Sequence, residues 1–206
     1  MFLVFRKIFK NFGKIITILI FLFISITNSQ IDLKLEALKL SRETLITYLK
    51  TNRIPEVNSI LNSIPSKSIF ITLTKNGKTR GCAGSFIPIY NSLGESVINF
   101  TIIAATQDIR YNPVKIEEID EIIITITFPE RTVCIENPYM IKPLKEGLII
   151  RKDGKEGVVL PGEAKTVEYA IKIGLRNANL NNLNGAIFYK FNGSSFSEKD
   201  LKYEKN

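Results

Sequence analysis

The chain has 206 residues, 45% of them hydrophobic and 23% charged, which suits one folded domain and excludes wholesale disorder or a polytopic membrane protein. It contains no histidine and only two cysteines, so Ser-His-Asp triads, Cys-His dyads, zincin motifs and Cys-only structural zinc sites are all excluded. The formal charge of +8 shrinks once the first 29 residues are set aside, because Arg6, Lys7, Lys10 and Lys14 lie there without an acid, leaving 24 cations against 20 anions. That is a weakly basic domain with its charges dispersed, and nucleic acid is not an expected partner.

The basic residues 1–14 precede an apolar run, Ile15 to Ile26, broken only by Thr17 and Ser25, and then the small residues Thr27 and Ser29. This is the arrangement of a secretory signal peptide over residues 1–29, with cleavage after Ser29. An uncleaved signal anchor is the competing reading, although the run is short of the roughly 20 apolar residues of a span. Both readings place the domain beyond the cytoplasmic membrane, periplasmic or secreted, with the membrane engaged only through this segment. Export would permit a Cys82-Cys134 disulfide, and two free thiols are the alternative.

Asp32 to Asn52 predicts a helix, from apolar residues at Leu35, Leu38, Leu45, Ile46 and Leu49, ended by Ile54-Pro55. Ser68 to Thr74 is β-branched, Asn76-Gly77 is a strong hairpin signal, and Lys78 to Cys82 is the returning strand. Ser92 and Glu95 have capping-box spacing, which predicts a helix from Leu93 to Thr106 with Leu93, Val97, Phe100, Ile103 and Ala104 on its inner face. Gln107 to Pro113 reads as a loop and Glu121 to Phe128 as a strand. A second hairpin turns at Asp153-Gly154, between Leu148–Lys152 and Gly157–Leu160. Glu163 to Leu180 predicts an amphipathic helix and Ala186 to Phe191 a last strand. The Lys- and Glu-rich residues 197–206 are expected to fray. Strands that come mostly as hairpins, with few helices between them, predict an α+β fold built on a mainly antiparallel sheet flanked by helices.

The best candidate site is Lys78 to Phe86 (KTRGCAGSF). Here Cys82 lies between Gly81 and Gly84, which permit close backbone approach, and Arg80 supplies charge. Asp108, Arg110 and Tyr111 are concentrated in the Gln107–Pro113 loop. Two readings stay open. In the first, the cleft binds a small anionic ligand or a peptide through Arg80, Gly81, Gly84, Arg110 and Tyr111 without turnover, since paired arginines suit carboxylates and phosphates. In the second, Cys82 is a nucleophile or redox thiol of lowered pKa, with Asp108 as its orienting or basic group. A buried Cys82 chosen for packing is the bland alternative. The Asn76-Gly77 and Asp153-Gly154 turns do not lead into helices as phosphate cradles do, and neither a cofactor nor a metal is expected.

Three segments in order, Arg80-Gly81-Cys82-Ala83-Gly84, then Gln107-Asp108-Ile109-Arg110-Tyr111-Asn112-Pro113, then Gly147 to Pro161, make the chain similar to the AMMECR-type domain family over residues 35–196. That family is named after a gene region linked to Alport syndrome, midface hypoplasia and elliptocytosis. The resemblance implies an α+β domain with a small second lobe, and a cleft where the Cys82 and Asp108 segments meet. It implies no settled activity. Where the family continues Leu-Pro-Gln-Val-Ala, this chain reads Leu160-Pro161-Gly162-Glu163-Ala164, so no role for the glutamine carries over.

Overall fold

The computed structural model describes residues 33–55 and 60–203. The export signal expected over residues 1–29 lies outside them, and among the described residues no helix is long and apolar enough to cross a membrane. Residues up to Glu36 form a unit of their own, of which residues 33–36 are described as the first turn of helix α1 (33–51). From Ala37 onward the chain forms a second unit.

Its frame is one antiparallel sheet of six strands: β1 (Ile69–Lys75), β2 (Lys78–Ser85), β3 (Ile122–Ile135), β4 (Glu146–Lys152), β5 (Lys155–Val159) and β6 (Ile187–Ser197). The order across it is β2-β1-β3-β6-β4-β5, so β2 and β5 are the two edges. Both tight hairpins form where the dipeptides indicated. Asn76 and Gly77 have φ of 51° and 72°, Asp153 and Gly154 50° and 74°, the paired positive values of a turn whose twist matches the strands it joins.

Alternation along β1 and β3 decides which faces are buried. Ile69, Ile71 and Leu73, with Ile122, Ile124 and Ile126, present one fully buried row, each worth about 1.5–3 kcal/mol of transfer free energy. Helix α2 (Leu93–Thr106) packs on β1 and β2 there, and α1 lies beside it, joined by the buried Ser41 and Thr101 hydroxyls at 2.7 Å. The other half of the sheet is covered by α3 (Val167–Asn177), over Leu148, Ile150, Val159 and Phe188. The second lobe implied by the resemblance is thus a second core on the same continuous sheet. The opposite face curls around a smaller cluster of Phe70, Ile149, Leu160 and Phe191, which brings residues of both edge strands to one place.

Several elements depart from the sequence reading for physical reasons. Helix α2 is buried on almost all sides, Ile98, Ile102 and Ala105 included, and not on a single face, because it is flanked by other elements as well as by the sheet. Its cap is Ser92, whose hydroxyl accepts from Glu95 N–H at 3.1 Å, while Glu95 reaches back to Asn91 N–H instead of Ser92. Strand β3 runs seven residues past Phe128, since the missing N–H of Pro129 falls where the register with β6 shifts, between Pro129 and Thr132. Strand β6 continues through the polar Asn192 to Ser197, with Asn192 paired to Glu146 of β4 and Gly193 to Ser197 paired to β3. Helix α3 begins at Val167 and not Glu163, because Thr166 caps it, accepting from Tyr169 N–H at 3.2 Å. The tail, expected to fray, begins as α4 (Glu198–Tyr203), whose Glu198 bonds Arg42 Nε at 2.8 Å and Ile124 N–H at 2.8 Å.

Gly81 is where sheet and helix come closest: a Cβ there would lie 2.0 Å from the Ala104 carbonyl oxygen. Both groups are backbone and neither can yield. Gly81→Ala is therefore expected to cost about 2–3 kcal/mol, a drop of roughly 4–12 °C in melting temperature by calorimetry of the full-length chain.

Candidate functional site

Cys82 is opposite Thr72 of β1, and among the described residues no further strand follows on the far side of Cys82. An edge N–H left there would be a docking point for any extended chain. The Asp108 carboxylate takes it: Cys82 N–H donates to Asp108 Oδ2 at 2.8 Å. The same carboxylate accepts from Arg110 Nε at 2.8 Å, Arg110 NH2 at 2.7 Å and Arg110 N–H at 3.1 Å. Its side chain is 5% exposed. Burial opposes its ionisation, but the guanidinium and the two backbone N–H groups outweigh that and hold its carboxyl below the usual range.

Arg80 makes the reciprocal tie one step along the strand. It donates to the carbonyls of Asn112 at 2.6 Å and Pro113 at 3.0 Å, and its Nε and NH2 grip Glu118 at 3.0 and 2.8 Å. That grip, followed by the Lys115 N–H, lowers the Glu118 carboxyl to about 2. The Arg-Gly-Cys segment and the Asp-x-Arg-Tyr loop thus fasten each other at two points. Asp108 and Arg110 stand beside Cys82, whereas the Arg80 guanidinium is directed to the 112–118 segment.

A cleft of about 480 Å³ opens beside this junction. Phe70, Cys82, Ala83 and Gly84 line it from one edge of the sheet, and Glu156 and Val158 from the other. Phe100, Ile103, Asp108 and Arg110 form a third side, and Leu160, Glu163 and Asn177 close it. Gly84 belongs to this lining; a Cβ there would meet the Ile69 carbonyl oxygen at 2.3 Å. Gly81 faces α2, and Tyr111 lines a separate groove. The second edge is capped as the first is: Asn177 Nδ2 donates to the Val158 carbonyl at 2.8 Å. Its other amide atom, Oδ1, is buried and has no hydrogen-bond partner among the described residues.

The Cys82 sulfur packs against the Phe70, Ile149, Leu160 and Phe191 cluster and shares a hydrogen bond with the Thr72 hydroxyl at 3.3 Å. Burial pushes the thiol up to about 11, against the smaller favourable effect of Thr72, and the nearby Glu163 raises it further. A thiolate lowered by Arg80 is not what this environment provides. Cys82 and Cys134 are both free. Thr72 separates Cys82 from Thr125 of β3, and Cys134 lies nine residues farther along that strand, roughly 30 Å at about 3.3 Å per residue, far beyond disulfide reach.

Gln107, Glu156, Glu163 and Asn177 are polar cleft residues that the sequence reading did not single out as site residues. Glu163 accepts from Leu160 N–H at 3.0 Å across the turn at Gly162, whose φ is +79°. Burial pushes its carboxyl above the usual range, opposed by that N–H. Its signal was the departure from Leu-Pro-Gln-Val. Asn177, at the end of an amphipathic helix, carried none.

Two measurements check this electrostatic picture. In a Cys134→Ser variant, alkylation of Cys82 by iodoacetamide is expected to be slow at pH 7–8 and to rise toward pH 11; a rate that saturates near neutral pH contradicts it. The depressed Asp108 carboxyl contributes stability above about pH 4, the unfolded value, and that contribution is lost as pH falls through its lower folded value. Asp108→Asn is therefore expected to melt lower than wild type at pH 7 and to show a flatter loss of stability below about pH 4.

Comparison with known proteins agrees with the motifs. The family model AMMECR1 matches residues 38–196. A protein of Methanosarcina barkeri is 30% identical over 181 residues, covering 80% of this chain and 89% of the relative. One of Methanosarcina acetivorans is 31% identical over 187 residues, covering 82% and 92%. The crystal structure of the uncharacterized protein PH0010 from Pyrococcus horikoshii superposes with a TM-score of 0.65 at 27% identity, over 79% of this chain and 90% of that one. The sheet, the two interlocked motifs and these matches together place the chain in the AMMECR1 family, whose activity is unknown.

Proposed function

We propose that this domain is a binding module whose cleft takes up a short peptide segment in extended form, with no chemistry at Cys82. The observation that carries the reading is Asn177 Oδ1, a buried acceptor without a partner at the wall of the cleft. An unpaired buried acceptor costs about 1–3 kcal/mol, and a ligand N–H would recover it. A peptide has such donors at regular spacing along its backbone. The charge balance agrees: Asp108 is paired with Arg110 and Glu156 with Arg151, which leaves Glu163 as the remaining acid of the lining and favours N–H donors and cations over the small anion expected from the two arginines. Arg80 is engaged with Glu118, and Arg110 with Asp108. The protonated thiol, with no histidine in the chain to act as base, supports binding over catalysis. Delivery beyond the cytoplasmic membrane by residues 1–29 belongs to the same proposal, and amino-terminal sequencing of the protein recovered from cells tests it.

For the cleft, the full-length chain is titrated with a pool of unstructured hexapeptides bearing free amino termini, followed by fluorescence anisotropy. The expected result is saturable binding of a subset, weakened about tenfold by Asn177→Leu and changed less than about twofold by Cys82→Ser. Absence of binding across the pool, or loss of binding in Cys82→Ser with a covalent adduct on Cys82 in the wild type, overturns the proposal, the latter in favour of a cysteine-dependent enzyme.

A further inference from the structure

A second concavity, of about 550 Å³, lies on the other side of Glu163 from the cleft. Its lining comes from separate stretches of chain: Gly77, Lys78 and Thr79 at the first hairpin, Tyr111 from the Asp108 loop, Lys165 and Thr166 ahead of α3, and Tyr169, Ile173 and Arg176 on α3. Ile173 is 5% exposed and Tyr169 is 53% exposed. Buried apolar surface with an accessible ring and charged groups around it is the make-up of a small-molecule site, and the volume falls in the usual ~300–1,000 Å³ range.

The charges are what distinguish this groove. Lys78, Lys165 and Arg176 are exposed, come from three different places in the chain, and among the described residues have no ion pair or side-chain hydrogen bond, with Glu163 the acid that Arg176 senses at longer range. Cations that hold the fold together are treated otherwise: Arg42, Lys75, Arg80, Arg110, Arg151 and Lys190 each face a carboxylate. Around the groove Glu163 is the one acid, so the lining carries a net charge of +2 with Glu163 ionised and +3 with it protonated. A phosphate monoester, at about −1.5 to −2, balances that charge, and guanidinium and ammonium groups are its natural partners. The two tyrosines give a planar ring something to stack on, and a phosphate alone would leave them unused.

We infer that this groove is a binding site for a nucleoside monophosphate, with Lys78, Lys165 and Arg176 on the phosphate and Tyr111 and Tyr169 against the base. The site is separate from the peptide cleft and does not depend on it. Only Glu163 is common to both linings.

The test is isothermal titration calorimetry of the full-length chain with adenosine monophosphate, adenosine and inorganic phosphate as separate probes. The expected result is a Kd below about 1 mM for adenosine monophosphate at low salt, with adenosine and phosphate each at least about tenfold weaker. Its affinity is expected to fall about 30-fold in a Lys165→Ala/Arg176→Ala double variant and about tenfold in Tyr169→Leu, and to weaken as sodium chloride is raised. All three positions are exposed, so the variants are expected to melt like the wild type. Asn177→Leu, which alters the cleft, is expected to leave this affinity unchanged. No heat with adenosine monophosphate, phosphate binding as tightly as the nucleotide, or affinity that survives the double substitution would each overturn the inference.

Discussion

The candidate site depends on one buried carboxylate that serves two customers. Asp108 accepts the Cys82 N–H that the edge of the sheet leaves over, and it neutralises Arg110 in the same half-buried position. Either group alone would be hard to bury: an N–H without an acceptor and a carboxylate without a counterion each carry a desolvation cost of kcal/mol size. Together they are stable, and the 107–113 loop is fastened to β2 as a consequence. Arg80 secures the far end of the same loop through the Asn112 and Pro113 carbonyls. The motifs that mark the family are therefore first of all the two halves of a clasp.

The clasp explains why there is a cleft at all. A six-stranded antiparallel sheet curled this far leaves β2 and β5 as unclosed edges, and exposed edges invite uncontrolled pairing. Here each edge is blunted by one side chain, Asp108 on β2 and Asn177 on β5, while the space beside them stays open. Cys82 takes its character from this setting. Its backbone serves the clasp and its sulfur fills the small apolar cluster on the inner face, so its chemistry is that of a desolvated thiol. The glycines on either side do mechanical work: Gly81 lets α2 approach and Gly84 leaves room beside Ile69 and Phe70.

Much of the frame was legible in the residues. Alternating isoleucines, two positive-φ hairpin dipeptides and a Ser92 cap are local signals, and local signals survive folding. What could not be read depends on partners far along the chain. Pro129 argues against a strand until the register shift in β3 is known. Gly193 to Ser197 looks like a loop until β3 supplies the ladder beside it. Arg80 looked like a free cation for an anion, because Glu118, the carboxylate it faces, lies 38 residues farther along the chain. Glu163 was read as the first residue of a helix, whereas the Thr166 cap releases it to the rim of the cleft. Lys78, Lys165 and Arg176, which have no ion pair among the described residues, are scattered in sequence and gather only in the fold.

Because the cleft and the edge of the sheet both rest on the clasp, it is the feature to examine before any ligand. Amide hydrogen exchange at Cys82, compared between wild type and Asp108→Ala, tests it most directly. The account predicts a Cys82 N–H protected in the wild type as well as the interior of β1, and exchanging at least about a hundredfold faster in the variant, while amides of β4 and β6 are unchanged. Equal protection of Cys82 in both proteins would contradict the account, since the edge of the sheet would then be closed by something other than Asp108.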